Sequence, residues 1–126
     1  MTMMEVAVAA ALVGTLLVVC LKLVASVTAQ RRAADQRACA MLELGNVMER
    51  VTARPWAELT TDALSSETLS PSAERQLPGA ELKIEVTTSA DEPDAKRITA
   101  TLCWQDRSGS LLAPMTLTTW RFKTVD

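Results

Sequence analysis

The chain opens with a long, uninterrupted apolar segment. Residues 6–21 carry no charge, and residues 23–27 continue the apolar run beyond Lys22. As a helix rising about 1.5 Å per residue, this segment is long enough to cross a hydrocarbon layer about 30 Å thick. Lys22 would lie near one edge of that layer, where its ammonium can reach the interface. The pattern predicts a membrane anchor over residues 1–27.

The helical pattern continues after the apolar segment and changes character. Residues 28–54 contain no proline and are rich in good helix formers. Apolar side chains recur at helical spacing there, and they are Met41, Leu44, Met48 and Val51. Pro55 disfavours a helical Arg54 and should end the helix. We therefore expect one helix of about 50 residues, with an amphipathic half over residues 28–54 that packs on a domain.

The remaining residues, 55–126, predict a small antiparallel β domain behind a connecting region. Thr60-Thr61-Asp62 and Ser70-Pro71 are typical of helix starts. Residues 82–86, 97–104 and 115–122 have the alternation or composition of strands, and turn residues separate them. The fold class expected is α+β, with the amphipathic half of the helix covering the sheet, and we expect Trp56, Trp104 and Trp120 in the core.

The composition limits the kinds of functional site that we expect in this chain. The chain has 126 residues, a net charge of −2 and no histidine, so we expect no nucleic-acid partner, no catalytic residues and no cofactor. Cys39 and Cys103 could form a disulfide in an exported domain, although buried free thiols are the simpler interpretation. An acidic loop at residues 91–94 could hold calcium, but such loops usually face solvent, and we expect no metal.

Glu5 is the residue that most needs explaining. A carboxylate at the membrane-embedded end of an apolar helix costs about 3 kcal/mol and usually has a partner. One candidate partner is the α-amino group of a neighbouring, staggered subunit. The other interpretation is a glutamate in the headgroup region, favoured there by the helix dipole. Small residues at four-residue spacing, Ala7 with Ala11 and Ala10 with Gly14, would let a second helix approach closely.

The start Met1-Thr2-Met3-Met4-Glu5-Val6 resembles the mature N-terminus of type IV pilins and type II secretion pseudopilins. The resemblance covers the N-terminal helix closely and the remainder in outline, and it is nearest to the I-type minor pseudopilins and the V-type minor pilins. It implies that a prepilin peptidase exposes Met1 and methylates its amine, and that Glu5 pairs with a neighbour's N-terminus. The helix packing residues would be Ala7, Ala10, Ala11 and Gly14.

The function implied is that of a structural subunit of a short periplasmic pseudopilus for type II protein secretion. Its partners would be other pseudopilins or pilins, the prepilin peptidase, the inner-membrane assembly platform and membrane lipid. The protein would cross the bacterial inner membrane once and place its C-terminal domain in the periplasm.

Three alternatives stay open at this point. The chain could be a minor pilin of a type IV pilus, serving adhesion, motility or DNA uptake. It could also be an unrelated single-pass membrane protein, or a secreted binding domain released from a signal peptide near Ala29. The basic leader of the family's precursors is not in this sequence, and Lys22, Arg31, Arg32 and Arg37 all follow the apolar segment. On these charges alone the C-terminal part would be cytoplasmic, so the periplasmic orientation follows from the resemblance.

Overall fold

The computed structural model describes residues 2–125 and has the expected α+β fold, a long N-terminal helix followed by a small antiparallel sheet. The helices are α1 (Met3–Thr52), α2 (Thr61–Leu64) and α3 (Pro71–Gln76), and a single 3-10 turn covers Trp56–Glu58. The strands are β1 (Glu81–Thr88), β2 (Ala95–Cys103) and β3 (Met115–Phe122). The chain divides into two compact units, one ending at Asp35 and one beginning at Gln36.

Helix α1 has 50 residues, which confirms the expected length, and it ends two residues before Arg54. The N–H of Arg54 bonds to the carbonyl of Val51 at 3.1 Å, a tightened last turn that leads into Pro55. The buried face of the helix lies entirely in the second unit and consists of Ala40, Glu43, Leu44, Val47, Met48 and Val51. Leu44, Met48 and Val51 are buried as expected. Placing Met41 on that face was wrong, because Met41 is 63% exposed and Ala40, one residue earlier, is buried in its stead.

The three strands form one antiparallel sheet in the order β1-β2-β3. Alternate residues of β2 face the buried part of α1, and Ile98, Ala100 and Leu102 are each at most 1% exposed. Ile84 of β1 lies opposite Ala100 on the same face. The alternation predicted from the sequence therefore sets the register, because a one-residue slip would turn this whole set toward solvent.

Two of the three tryptophans lie where the sequence predicted and one does not. Trp104 is 3% exposed and belongs to the core, and Trp56 packs against the core half-buried. Placing Trp120 in the core was wrong, because its side chain is 48% exposed. Trp120 lies opposite Arg97 on the outer face of the sheet, with the Arg97 guanidinium carbon 5.9 Å from its ring centroid.

The connecting segment between α1 and β1 is held by capping and by contacts to charged side chains. Thr60 caps α2 and Ser70 caps α3, as their sequence patterns predicted, through bonds from Ala63 N at 3.2 Å and Ala73 N at 3.3 Å. The Lys96 ammonium donates to the carbonyl oxygens of Trp56 and Leu59, both at 3.0 Å. Glu67 forms ion pairs with Arg50 of α1 and with Arg54, two residues after the end of that helix.

Candidate functional site

The start of α1 is closed by a reciprocal pair of hydrogen bonds between Thr2 and Glu5. The backbone N–H of Thr2 donates to Glu5 Oε2 at 3.1 Å, and the backbone N–H of Glu5 donates to Thr2 Oγ1 at 3.3 Å. The carbonyl of Thr2 also accepts from the N–H groups of Glu5 and Val6. Thr-x-x-Glu with this geometry is a capping box, in which each of the two side chains accepts from the other residue's backbone N–H.

The capping box leaves the charge of Glu5 uncompensated by any cation in the described residues. Thr2 is the one described residue that donates a hydrogen bond to this carboxylate, and the salt bridges of the described residues lie elsewhere. The next charged side chain along α1 is Lys22, separated from Glu5 by more than four helical turns. A hydrogen bond from Thr2 orients one oxygen, whereas a membrane environment still favours a positive partner for the charge.

The helix that carries Glu5 presents an apolar surface on all sides of its first half. Every described residue before Gln36 is exposed, and the most apolar 18-residue window has a mean hydropathy of 2.5 with none of it buried. The hydroxyls of Thr15 and Thr28 bond back to the carbonyls of Ala11 and Val24, both at 2.9 Å, and so need no water. By length and composition this helix could cross a membrane, and a secretory signal sequence meets the same criteria.

The small residues predicted for helix packing lie in the middle of this apolar surface. Ala7 and Ala11 are one turn apart, and so are Ala10 and Gly14, and all four are exposed. Apart from its chain neighbours and the adjoining backbone of its own helix, a methyl group added at Gly14 would meet no atom of the described residues within 4 Å. Packing within the described part of the chain therefore does not require a glycine at this position.

The predicted site residues can now be placed individually. Met1 lies outside the described residues, so its role as the methylated N-terminus stays a prediction. Glu5 and the four small residues share the exposed part of α1, and the pairing of Glu5 with a neighbouring N-terminus also stays a prediction. Sequence reasoning missed Thr2, although Thr2-x-x-Glu5 is a readable capping signal directly before an apolar run.

The residues weighed for other chemistry lie apart from this site. Cys39 and Cys103 are free thiols and half-buried, which favours the simpler of the two interpretations over a disulfide. Burial, and secondarily the charge of Glu43, raises the pKa of the Cys39 thiol, which lowers its thiolate fraction and hence its reactivity. Within residues 2–125 no three His, Cys, Asp or Glu side chains are grouped as a metal site would need.

Comparisons with known proteins give no family assignment. No protein-family model, no curated protein and no solved structure matches the chain. The functional argument therefore depends on Glu5, on the apolar helix around it and on the domain that the helix carries.

Proposed function

We propose that the chain is a structural subunit of a short pilin-like filament, of the pseudopilus kind that serves type II protein secretion. One observation carries the proposal: the carboxylate of Glu5 lies in the first turn of a 50-residue helix whose first half is exposed and apolar. The small α+β domain that follows α1 is the second support. In this proposal residues 1–27 anchor the protein in the bacterial inner membrane and the domain at residues 55–126 lies in the periplasm.

The energetic role of Glu5 follows from its position. A lone carboxylate in an apolar helix costs about 3 kcal/mol near the membrane centre and less toward the interface. Thr2 satisfies one carboxylate oxygen but brings no charge. The α-amino group of a neighbouring subunit would supply that charge only on assembly, so the pair makes insertion into the filament favourable and fixes the axial stagger between subunits.

The apolar surface of α1 supports assembly through helices. In lipid, helix association depends on close packing, which small side chains allow. Ala7, Ala10, Ala11 and Gly14 are exposed on a helix whose own domain does not cover them. We propose that they are the contact positions for neighbouring pseudopilins, with the prepilin peptidase and the inner-membrane assembly platform acting before that contact forms.

The processing step gives the most direct chemical test of this proposal. The protein is purified from its native membranes, and its N-terminus is identified by mass spectrometry of the intact chain and of its N-terminal peptide. The proposal predicts a methylated amine on Met1. A mature terminus near Ala29 or Gln30 would contradict it, because a signal peptidase would then have removed Glu5 together with the apolar helix.

The type of filament is tested in cells. Deletion of this gene should leave proteins normally released by type II secretion inside the cell, and a copy of the gene should restore their release. Normal secretion together with loss of surface pili would instead indicate a minor pilin of a type IV pilus.

A further inference from the structure

The two edges of the sheet differ in how their backbone groups are used. At the β1 edge, the Thr61 hydroxyl accepts from Val86 N at 3.1 Å and is 3.4 Å from Val86 O, to which it can donate. That edge strand also carries Glu81, Lys83 and Glu85 at alternate positions. Covering side chains and charged residues are the usual means by which proteins prevent further strands from pairing at an edge.

The register shows which groups point outward at the opposite edge. The backbone N–H of Val86 points away from β2. Backbone groups alternate in direction along an antiparallel strand, so those of even-numbered β1 residues point outward and those of odd-numbered residues bond to β2. The residue pairings of β1 with β2 and of β2 with β3 extend this alternation to β3. Four β3 residues therefore have backbone groups that point away from the sheet, namely Thr116, Thr118, Trp120 and Phe122. The N–H of Lys123 agrees with it, because this odd-numbered residue bonds inward to Asp94 O at 2.7 Å.

We call these outward backbone groups the β3 edge. Within residues 2–125, no side chain or backbone group outside the strands donates to them or accepts from them. The neighbouring side chains are uncovered as well: Leu117, Trp120 and Phe122 are 36%, 48% and 62% exposed. An edge strand of eight residues in this state can still pair with a further strand.

The charged side chains of β3 and of its described flanks are of one sign. Residues 111–125 contain Arg121 and Lys123 and no Asp or Glu. In the described part of the chain neither cation has a carboxylate within 4.0 Å, whereas Arg50, Arg54 and Lys83 each have one. The Nε atom of Arg121 is buried and finds no acceptor among residues 2–125. Arg121 as a whole is half-buried, and its terminal guanidinium nitrogens are the atoms with which a carboxylate from outside the chain would pair.

We propose that the β3 edge binds an extended segment of a partner protein by strand addition, and that the segment carries a carboxylate near Arg121. The backbone bonds would supply affinity and the carboxylate would supply selectivity. A second copy of this chain pairing through its own β3 fits less well, because residues 111–125 contain no carboxylate that could pair with Arg121. The proposal uses no residue of the membrane helix and does not depend on the role of Glu5.

The test uses the full chain in detergent micelles and two fluorescent peptides of about eight residues, the length of a typical strand. Both peptides alternate threonine and valine, and one carries a single glutamate where its twin carries lysine. We expect the glutamate peptide to bind at least about tenfold more tightly in fluorescence anisotropy. We also expect it to slow hydrogen exchange at Thr116, Thr118 and Trp120, while the inward amides of Leu117 and Thr119 stay as they were.

Variants of the protein separate the two parts of the proposal. Arg121→Glu should reverse the preference between the twin peptides. Thr118→Pro should weaken binding of both, because it removes an outward N–H and no backbone bond to β2, although it also removes the 3.5 Å contact between the Thr118 and Thr99 hydroxyls. Lys83→Glu is the matched control at the β1 edge and should change neither result.

Several outcomes would overturn the proposal. Equal affinity for the twin peptides would show that Arg121 does not select a carboxylate. Unchanged binding to Thr118→Pro would show that the peptides do not pair with the β3 edge. Absence of binding below about 1 mM, an affinity too weak for specific recognition, would contradict both parts of the proposal. Protection of the outward amides without peptide, rising with protein concentration, would assign the β3 edge to a second copy of the chain.

Discussion

The carboxylate of Glu43 on α1 accepts two hydrogen bonds from Ser70, the residue that caps α3. Ser70 N lies 2.7 Å from Oε1 and Ser70 Oγ lies 3.0 Å from Oε2. Among residues 2–125, Glu43 is the one charged residue that is buried, with 5% of its surface exposed. Because Ser70 also caps α3 through Ala73 N, this one carboxylate fixes the connecting segment to the long helix.

We predict that Glu43→Ala destabilises the domain. The change leaves Ser70 without its partner in a half-buried place, which costs about 1–3 kcal/mol in the free energy of unfolding. Urea unfolding of the full chain in mild detergent, followed by tryptophan fluorescence, measures the effect. Glu49→Ala on the exposed side of α1 is the control and should change stability by less than about 0.5 kcal/mol. Equal effects of the two substitutions would show that the bonds to Ser70 contribute nothing.

We predict a second stability effect at Lys96. Its ammonium donates to two carbonyl oxygens and lies 4.6 Å from the centroid of the Trp56 ring. Lys96→Met keeps most of the aliphatic stem but removes these contacts, and it should cost about 1–3 kcal/mol. Lys83→Met, which breaks a fully exposed pair with Glu85, should leave the urea midpoint unchanged, because solvent screens such a pair. The account of Lys96 fails if both variants unfold at the same urea concentration.

The turn after β2 should respond to acid through Asp106. A hydrogen bond from the Ser108 hydroxyl, followed by backbone N–H groups of residues 108–110, lowers the pKa of the Asp106 carboxyl. A lowered folded-state pKa means that the ionised group stabilises the turn above its unfolded pKa. That stabilisation is lost as the pH falls through the folded value. Amide exchange at Ser108 and Ser110 should therefore accelerate, relative to intrinsic rates, as the pH falls below the ordinary range of aspartate.

Asp106→Asn provides the comparison for this titration. Asparagine keeps an acceptor oxygen and does not ionise in this range, so the relative exchange rates at Ser108 and Ser110 should no longer depend on acid. An acid-dependent acceleration that persists in Asp106→Asn would assign the effect to another carboxyl group.

The sequence predicted those parts of the fold that depend on periodicity. The continuous helix, the caps at Thr60 and Ser70 and the strand at Met115–Phe122 all follow from local patterns. Trp120 could not be placed by residue type, because its face is decided by pairing with Arg97 on another strand. The burial of Glu43 was equally hidden, since its partner Ser70 is 27 residues away in the chain.

The candidate site also has one part that the sequence predicts and one part that it does not. The capping box of Thr2 and Glu5 is local, with two residues between its ends, and the sequence contains its whole signal. The pairing of Glu5 with another subunit involves a second chain. Neither the sequence nor the fold of one chain contains that partner, and the resemblance to pilins is what suggests it.

The capping box also provides a way to test that pairing. Glutamine at N3 of a capping box can still accept from the N-cap backbone N–H, as glutamate does, but it carries no charge. Glu5→Gln therefore keeps the helix start and removes the attraction to a neighbour's amine, whereas Glu5→Ala removes both. A role confined to capping and a role in assembly thus predict different behaviour for glutamine.

The decisive measurement is the recovery of Glu5→Gln in cross-linked filament complexes from native membranes, compared with the unchanged protein, Glu5→Ala and Thr2→Val. If Glu5 pairs with a neighbouring N-terminus, Glu5→Gln should be lost from the complexes as fully as Glu5→Ala, at equal amounts in the membrane. Thr2→Val, which removes a capping hydroxyl and keeps the charge, should stay in them. Recovery of Glu5→Gln at the level of the unchanged protein would contradict the account and leave Glu5 as a helix cap.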